Sequence, residues 1–158
     1  MSPPVRPKGE YPSAKREGTP ASTATVVHAG TLENLPRFLH FIETVCARIE
    51  ADADIKYALH LAIEEVCTNL IVHGYRGGPA GPIEIAVHDE SEKVTIVIRD
   101  HAPPFDPARA PSPDLTSDVE HRPTGGLGWH LVKKMMDEVD YVPGTPSGNV
   151  LTLVKRKF

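Results

Sequence analysis

Two polar residues of one predicted helix have the types and spacing that suit phosphate and metal chemistry. Glu65 and Asn69 are four residues apart, so their side chains differ by about 40° around a helix axis and meet on one surface. A carboxylate there can accept a proton or orient a nucleophile, and an amide oxygen can bind Mg²⁺, which prefers oxygen ligands. Such a pair is also common on solvated helix faces, and its spacing leaves both interpretations open.

A third polar residue, Asp100, ends the strongly apolar run VTIVIRD, where a proline-rich segment begins. Asp at the end of a strand often does no more than start an Asx-turn. A buried Asp would instead be a specific hydrogen-bond acceptor, and the sequence is compatible with either role.

A glycine-rich run, TGGLG at residues 124–128, comes directly before a predicted helix. Glycines there allow backbone N–H groups to approach a phosphate, whose charge the positive helix end favours. A tight entry from a loop into a helix explains the run equally well. The chain has neither the GxxxxGK[ST] motif of a Walker A loop nor the GxGxxG spacing of a dinucleotide fold.

Apolar periodicity predicts which elements position these residues. We expect the order β, α, α, β, β, lid, α, β, β. The first half comprises a strand at 25–29, a helix from its N-cap Thr31 to about Ala51, and a helix from about Asp54 to His73 that a left-handed Gly74 ends. The second half comprises a hairpin of strands at 83–87 and 93–99, a helix from about Gly126 to Glu138 that buries Leu127, Leu131, Met135 and Val139, and a strand at 149–155 after a turn at 143–148. Consecutive helices beside a hairpin predict an α+β fold, a two-layer sandwich with helices on one face of a mixed, mostly antiparallel sheet.

Composition restricts the class of protein. The 158 residues suffice for one domain, which we place at residues 25–158, with a disordered tail at 1–24 and a lid at about 101–124. The formal charge of −4 argues against a nucleic-acid or anionic-membrane binder. Without a membrane-spanning or signal-like apolar run, we expect a cytoplasmic protein. The two cysteines are predicted to be buried thiols.

The order of these motifs resembles the GHKL ATPase superfamily, whose nucleotide lies in the Bergerat fold. The segments LAIEEVCTNLIVHGY, IVIRDHAPPFDP and GGLGWHLVKKMMDEVDY are similar to those of bacterial anti-sigma-factor serine/threonine kinases. The resemblance extends from about Thr25 to Lys157. The sequence departs from the superfamily pattern DxGxG after Asp100, where both glycines are absent.

The resemblance implies a role for each matching residue. Glu65 would orient or deprotonate the attacking hydroxyl, Asn69 would bind Mg²⁺, and Asp100 would accept a hydrogen bond from the adenine amino group of ATP. The remaining implied nucleotide-binding residues are Thr124, Gly126, Leu127 and Gly128 of the glycine-rich run, His73 near the phosphates, and Arg122, which is close to the position of a basic residue that contacts the γ-phosphate.

The same resemblance implies a kinase that phosphorylates a Ser or Thr of an antagonist protein, sequesters a sigma factor and forms a homodimer. The alternative is a regulatory binding module without catalysis, for which ATP is a structural ligand or no ligand at all. A histidine-kinase-like phosphotransfer domain is a further possibility, although a single helix precedes the one that carries Glu65.

Overall fold

The structure of this chain is a computed structural model, which describes residues 22–76, 78–104 and 126–158, with Gly126 and Leu127 described by their backbone alone. Five strands and three helices follow one another as predicted. They are β1 (Ser22–Ala29), α1 (Leu35–Arg48), α2 (Ala53–Asn69), β2 (Pro82–Asp89), β3 (Lys93–Asp100), α3 (Gly126–Met135), β4 (Glu138–Thr145) and β5 (Gly148–Arg156), with a 3-10 turn (Leu32–Asn34) before α1 and a π-helical turn (Leu70–Gly74) after α2.

The strands form one sheet in the order β1-β2-β3-β5-β4. All four neighbouring pairs are antiparallel, so the predicted mixed character is wrong for the described strands, whereas the α+β class is confirmed. β3 lies at the centre of the sheet and is buried along nearly its whole length. The end of β3 at Asp100 therefore lies inside the molecule and not at an edge of the sheet.

The core lies between one face of the sheet and the helices. Residues alternate along each strand, so every second side chain points to that face. The largest fully buried side chains come from both layers: Phe38, Ile42, Leu59, Ile63, Ile83, Ile85, Ile96, Ile98, Trp129 and Leu153. Burying each aliphatic or aromatic side chain stabilises the fold by about 1.5–3 kcal/mol. This packing fixes α2 over the centre of the sheet.

The predicted boundaries of the first helix are corrected at both ends, because α1 also ends at Arg48 and not at about Ala51. Thr31 precedes the 3-10 turn and makes no side-chain cap, and α1 begins four residues later at Leu35. Pro36 at the start of α1 suits a first helical turn, where its missing N–H has no partner to lose. In α2, Asp52 is a true N-cap, because its Oδ1 accepts a hydrogen bond from the Ile55 N–H at 2.9 Å.

The prediction that Gly74 ends its helix in a left-handed conformation is wrong. The chain passes from α2 into the π-helical turn, in which the N–H of Tyr75 donates to the carbonyl of Leu70 at 2.9 Å. Among the described glycines, positive φ angles occur at Gly144 and Gly148 instead. The periodicity of the sequence extended correctly to His73, but it did not show the extra residue in the last turn.

The buried face of α3 is also corrected. Trp129, Val132 and Met136 are buried, whereas the predicted Leu131 is 37% exposed. Met135 and Val139 pack at the edge of the core, and the side chain of Leu127 lies outside the description. The helix ends at Met135, and Glu138 already belongs to β4. Two apolar stripes of this short helix compete, and contact with α2 selects the one containing Trp129.

The domain limits can be compared in part. β1 begins at Ser22, three residues before the predicted boundary, and residues 1–21 of the proposed tail lie outside the described residues. The same holds for residues 105–124 of the proposed lid. Both cysteines are buried as predicted, and neither forms a disulfide. No helix in the described ranges combines the length and apolar character needed to cross a membrane.

Candidate functional site

A cavity opens where the end of α2 and the π-helical turn pass over the sheet. About 440 Å³ of empty space lies within it, the open solvent at its mouth included. Its lining residues are Val66, Asn69, Leu70, Gly74, Ile98, Asp100, Pro103, Tyr141 and Leu151. An apolar slot with an amide and a carboxylate suits a flat ring that carries hydrogen-bonding groups.

Asp100 is the carboxylate of this cavity, and it is only 5% exposed. Its Oδ1 accepts two hydrogen bonds, from the N–H of Ala102 and from the side-chain Nδ2 of Asn149, both at 2.9 Å. Because both end on Oδ1, we expect a ligand in the cavity to meet Oδ2. The sequence left open whether Asp100 starts a turn or is a buried acceptor, and the structure shows that it is both.

The ionisation of Asp100 is set by opposing influences. Burial raises the pKa of its carboxyl group, whereas the hydrogen bonds from Asn149 and Ala102 and the nearby His101 lower it. Burial is the largest of these influences, so the pKa of Asp100 lies above its usual value. The hydrogen bonds limit that rise because they stabilise the ionised form.

Asn149 is a site residue that the sequence analysis missed. It is 3% exposed, and its Nδ2 donates both to Asp100 and to the carbonyl of Ala102, at 2.8 Å, while its Oδ1 accepts from the N–H of Gly144 at 3.0 Å. These contacts satisfy the buried amide and fix its orientation. A lone Asn at the start of a strand carries no sequence signal for this role.

Ala102 occupies the position of the first absent glycine of the DxGxG pattern. It is buried, and its φ is not positive, so the turn does not require glycine there. An added Cβ on Gly74 would lie 3.2 Å from the Cβ of Ala102. The methyl group of Ala102 thus packs beside a glycine of the π-helical turn.

Asn69 lines the same cavity as Asp100, although the two residues come from different layers. Glu65 lies one turn earlier on α2 and is not among the lining residues. It is instead in contact with the first turn of α3, because a Cβ added to Gly128 would overlap the carboxyl group of Glu65. The carboxylate therefore lies against the first turn of α3, one helical turn along α2 from Asn69.

Burial raises the pKa of Glu65 above its usual value, and the negative charge of Glu64 raises it further. A carboxylate with a raised pKa is a better general base near neutral pH than an ordinary one. Glu64 itself is exposed and lies near His60, with 3.8 Å between Oε2 and Nδ1.

The other predicted nucleotide-binding residues are less fully placed. Gly126 and Leu127 begin α3, as expected for a glycine-rich helix entry. Thr124 and Arg122 lie outside the described residues. His73 is exposed on the π-helical turn and is not among the residues that line the cavity, so its role remains a prediction.

Comparison with known proteins agrees with this geometry. Residues 29–155 match the family of histidine kinase-like ATPase domains. The chain is 27% identical over 109 residues to an anti-sigma F factor of Anoxybacillus flavithermus, covering 69% of this chain and 75% of the relative. It is 25% identical over 103 residues to the serine/threonine-protein kinase BtrW of Bordetella bronchiseptica, covering 65% and 72%. It is 31% identical over 85 residues to the serine-protein kinase RsbW of Bacillus cereus, covering 51% and 52%.

Proposed function

This chain belongs to the histidine kinase-like ATPase family, and on that premise we propose that it is an ATP-dependent serine/threonine protein kinase of the anti-sigma-factor type. The observation that carries the proposal is the convergence of Asn69 and Asp100 on one cavity, with Glu65 one helical turn away against the start of α3. An ATP-binding regulator fits this arrangement, because the apolar cavity can hold the base and the N-terminal end of α3 can bind the phosphates.

The adenine ring would occupy the apolar cavity. Asp100 is the acceptor for its amino group, because Asn149 and Ala102 already hold one carboxylate oxygen. Leu70, Ile98 and Leu151 would contact the faces and edge of the ring. A buried acceptor of this kind rejects a base that lacks the donor, since its own hydrogen bond would then be left unmade.

The phosphates would extend from the cavity toward the N-terminal end of α3, where the first backbone N–H groups have no acceptor within the helix. The donor set suits Mg²⁺, because the Asn69 amide supplies a hard oxygen at the cavity and phosphate oxygens supply others. Asn69 is thus the residue of this chain that would hold the ion, and the ion would neutralise phosphate charge.

In the transfer step, the hydroxyl oxygen of a Ser or Thr in the partner forms a bond to the γ-phosphorus. The bond from that phosphorus to the bridging oxygen breaks, and ADP leaves with its electron pair. Glu65 takes the hydroxyl proton. Alignment and charge neutralisation contribute most of the acceleration in phosphoryl transfer, so one positioned carboxylate is sufficient on the protein's side.

The proposed partners follow from the names of the relatives. An anti-sigma F factor and serine-protein kinases are among them, which supports a sigma factor and a phosphorylatable antagonist protein as binding partners. The expected homodimer receives no support from these names and remains a prediction from the resemblance.

The deciding experiment incubates the full chain with γ-labelled ATP, Mg²⁺ and the cognate antagonist. We expect label on a Ser or Thr of the antagonist, and loss of that label with Glu65→Gln. Calorimetric titration with Mg-ATP should show binding to the wild type and to Glu65→Gln but not to Asp100→Asn. Absence of ATP binding by the wild type would contradict the proposal.

The alternative function is a binding module that does not turn ATP over. The absence of the DxGxG glycines favours it, because Ala102 and Pro104 stand where the superfamily pattern has glycines. In that case Glu65→Ala would retain both the sigma partner and the regulatory output, whereas a kinase would lose antagonist phosphorylation.

A further inference from the structure

Tyr75 connects four separate segments next to the nucleotide cavity. Its hydroxyl donates a hydrogen bond to the carbonyl of Pro82 at 2.8 Å and accepts one from the N–H of His101 at 2.9 Å. His101 directly follows Asp100, so the Tyr75 hydroxyl holds the backbone beside the proposed adenine acceptor.

The ring of Tyr75 is in contact with two glycines. A Cβ on Gly30 would lie 2.8 Å from ring atoms Cδ2 and Cε2, and a Cβ on Gly81 would lie 2.8 Å from Cε1. The N–H of Gly30 also donates to the carbonyl of Gly81 at 2.8 Å. The ring therefore packs on a joined pair of backbone segments, which leaves it little freedom to move away from His101.

The π-helical turn explains how Tyr75 reaches this place. In a regular α-helix its N–H would bond four residues back, but here it bonds five residues back, to Leu70. The extra residue turns the chain that follows by about 100° relative to a continuous helix. Asn69 can therefore face the cavity while Tyr75, six residues later, faces the segment after β3.

We propose that Tyr75 is a positioning residue that fixes the Asp100–Ala102 turn so that Asp100 selects an adenine nucleotide, an inference that rests on the proposed function. Asn149 and Ala102 hold the carboxylate of Asp100, and Tyr75 holds the next peptide N–H along the chain. The turn is thus fixed both at its side chain and at its backbone. Without the hydroxyl, the carboxylate can rotate away from the amino group of the base.

The test compares ATP with inosine triphosphate, which has a carbonyl where ATP has the amino group. Tyr75→Phe keeps the ring between the glycines and removes only the hydroxyl. We expect the wild type to bind ATP more tightly than inosine triphosphate. Tyr75→Phe should reduce the ratio of the Kd for inosine triphosphate to the Kd for ATP by about three- to ten-fold. The matched control is Tyr57→Phe, because Tyr57 is 59% exposed; it should leave the ratio unchanged.

The ratio distinguishes positioning from a general loss of folded protein. If Tyr75 had a purely structural role, Tyr75→Phe would weaken the binding of both nucleotides by the same factor and leave the ratio unchanged. An unchanged ratio would overturn the inference without contradicting the proposed binding of ATP. Absence of ATP binding by the wild type would overturn the proposed function and this inference together.

Hydrogen exchange at the His101 amide, measured by NMR without nucleotide, gives a second test that is independent of ligand binding. Tyr75→Phe should accelerate exchange at this amide by about ten-fold or more, because its hydrogen-bond acceptor is removed. Amides in the middle of β3 should serve as an internal reference and stay protected. Equal protection of His101 in both proteins would contradict the positioning role.

Discussion

The side-chain amide of Asn149 donates a hydrogen bond to the Oδ1 of Asp100 at 2.9 Å, between residues that are direct partners in the antiparallel pair of β3 and β5. Both side chains are at least 95% buried. A buried amide that also donates to Ala102 holds the carboxylate in one orientation. The selectivity of the proposed adenine site thus depends on a residue outside every motif of the sequence.

Asn149→Ala should destabilise the protein and weaken ATP binding together. The change removes the amide that donates to the buried carboxylate of Asp100 and to the carbonyl of Ala102, at a cost of about 2 kcal/mol or more. Urea unfolding would measure the loss of stability, and calorimetry would measure a rise of at least about five-fold in the Kd for ATP. Thr152→Ala, on the other face of β5, is the control and should leave the Kd unchanged.

Gly128→Ala should reduce phosphotransfer far more than stability. An added Cβ would overlap the carboxyl group of Glu65, and the flexible end of that side chain would move aside. Alanine also favours a helix over glycine by about 1 kcal/mol, so thermal unfolding should change little. We expect the transfer rate to fall by about ten-fold or more, because the proposed base is displaced.

The control for this variant is Gly78→Ala, since no atom lies within 4 Å of a Cβ added there. It should keep the wild-type rate. A wild-type rate in Gly128→Ala would show that the position of the Glu65 carboxylate does not matter for transfer.

Glu64→Gln should shift the acid limb of the rate profile to lower pH. The negative charge of Glu64 raises the pKa of Glu65, so its removal lets Glu65 ionise at lower pH and extends the range in which it can accept a proton. Burial is the larger cause of the raised pKa and is unchanged, so the shift should be only partial. Rates of antagonist labelling from pH 5 to pH 8 would measure it, with the exposed Glu33→Gln as control; an unmoved limb would argue against Glu65 as the base.

Glu65→Gln should make the folded protein more stable at neutral pH while removing transfer. The pKa of Glu65 is raised in the folded state, so the folded form binds its proton more tightly, and this contribution to stability is lost as pH rises through that pKa. Gln has no proton to lose. Urea unfolding at pH 7 should therefore give a larger free energy of unfolding for the variant than for the wild type, and the difference should shrink toward pH 4. Equal free energies of unfolding at both pH values would contradict the raised pKa.

Much of this site could be predicted from the sequence, because it depends on local regularities. The helical period put Glu65 and Asn69 on one surface of α2, and the apolar run VTIVIRD put Asp100 at the end of a strand. The resemblance to the GHKL superfamily is confirmed by the family match. The roles of Thr124 and Arg122 lie outside the described residues and remain predictions.

Other features followed from neither period nor motif. The prediction that Leu131 lies on the buried face of α3 was wrong. Two faces of this ten-residue helix are similarly apolar, and only packing against α2 distinguishes them. The prediction of a left-handed Gly74 was wrong because the extra residue of a π-helical turn does not change the spacing of apolar residues in the sequence.

The sequence by itself determined the class of the fold, the order of its elements and three of the polar residues that matter. Only the tertiary structure decided that Asn149 orients Asp100, that Gly128 lies against Glu65 and that Tyr75 holds the N–H of His101. The first and last of these pairs are 49 and 26 residues apart in the chain. Local patterns arise from neighbours along the backbone, whereas hydrogen-bond partners at such separations are set by how the sheet and helices pack.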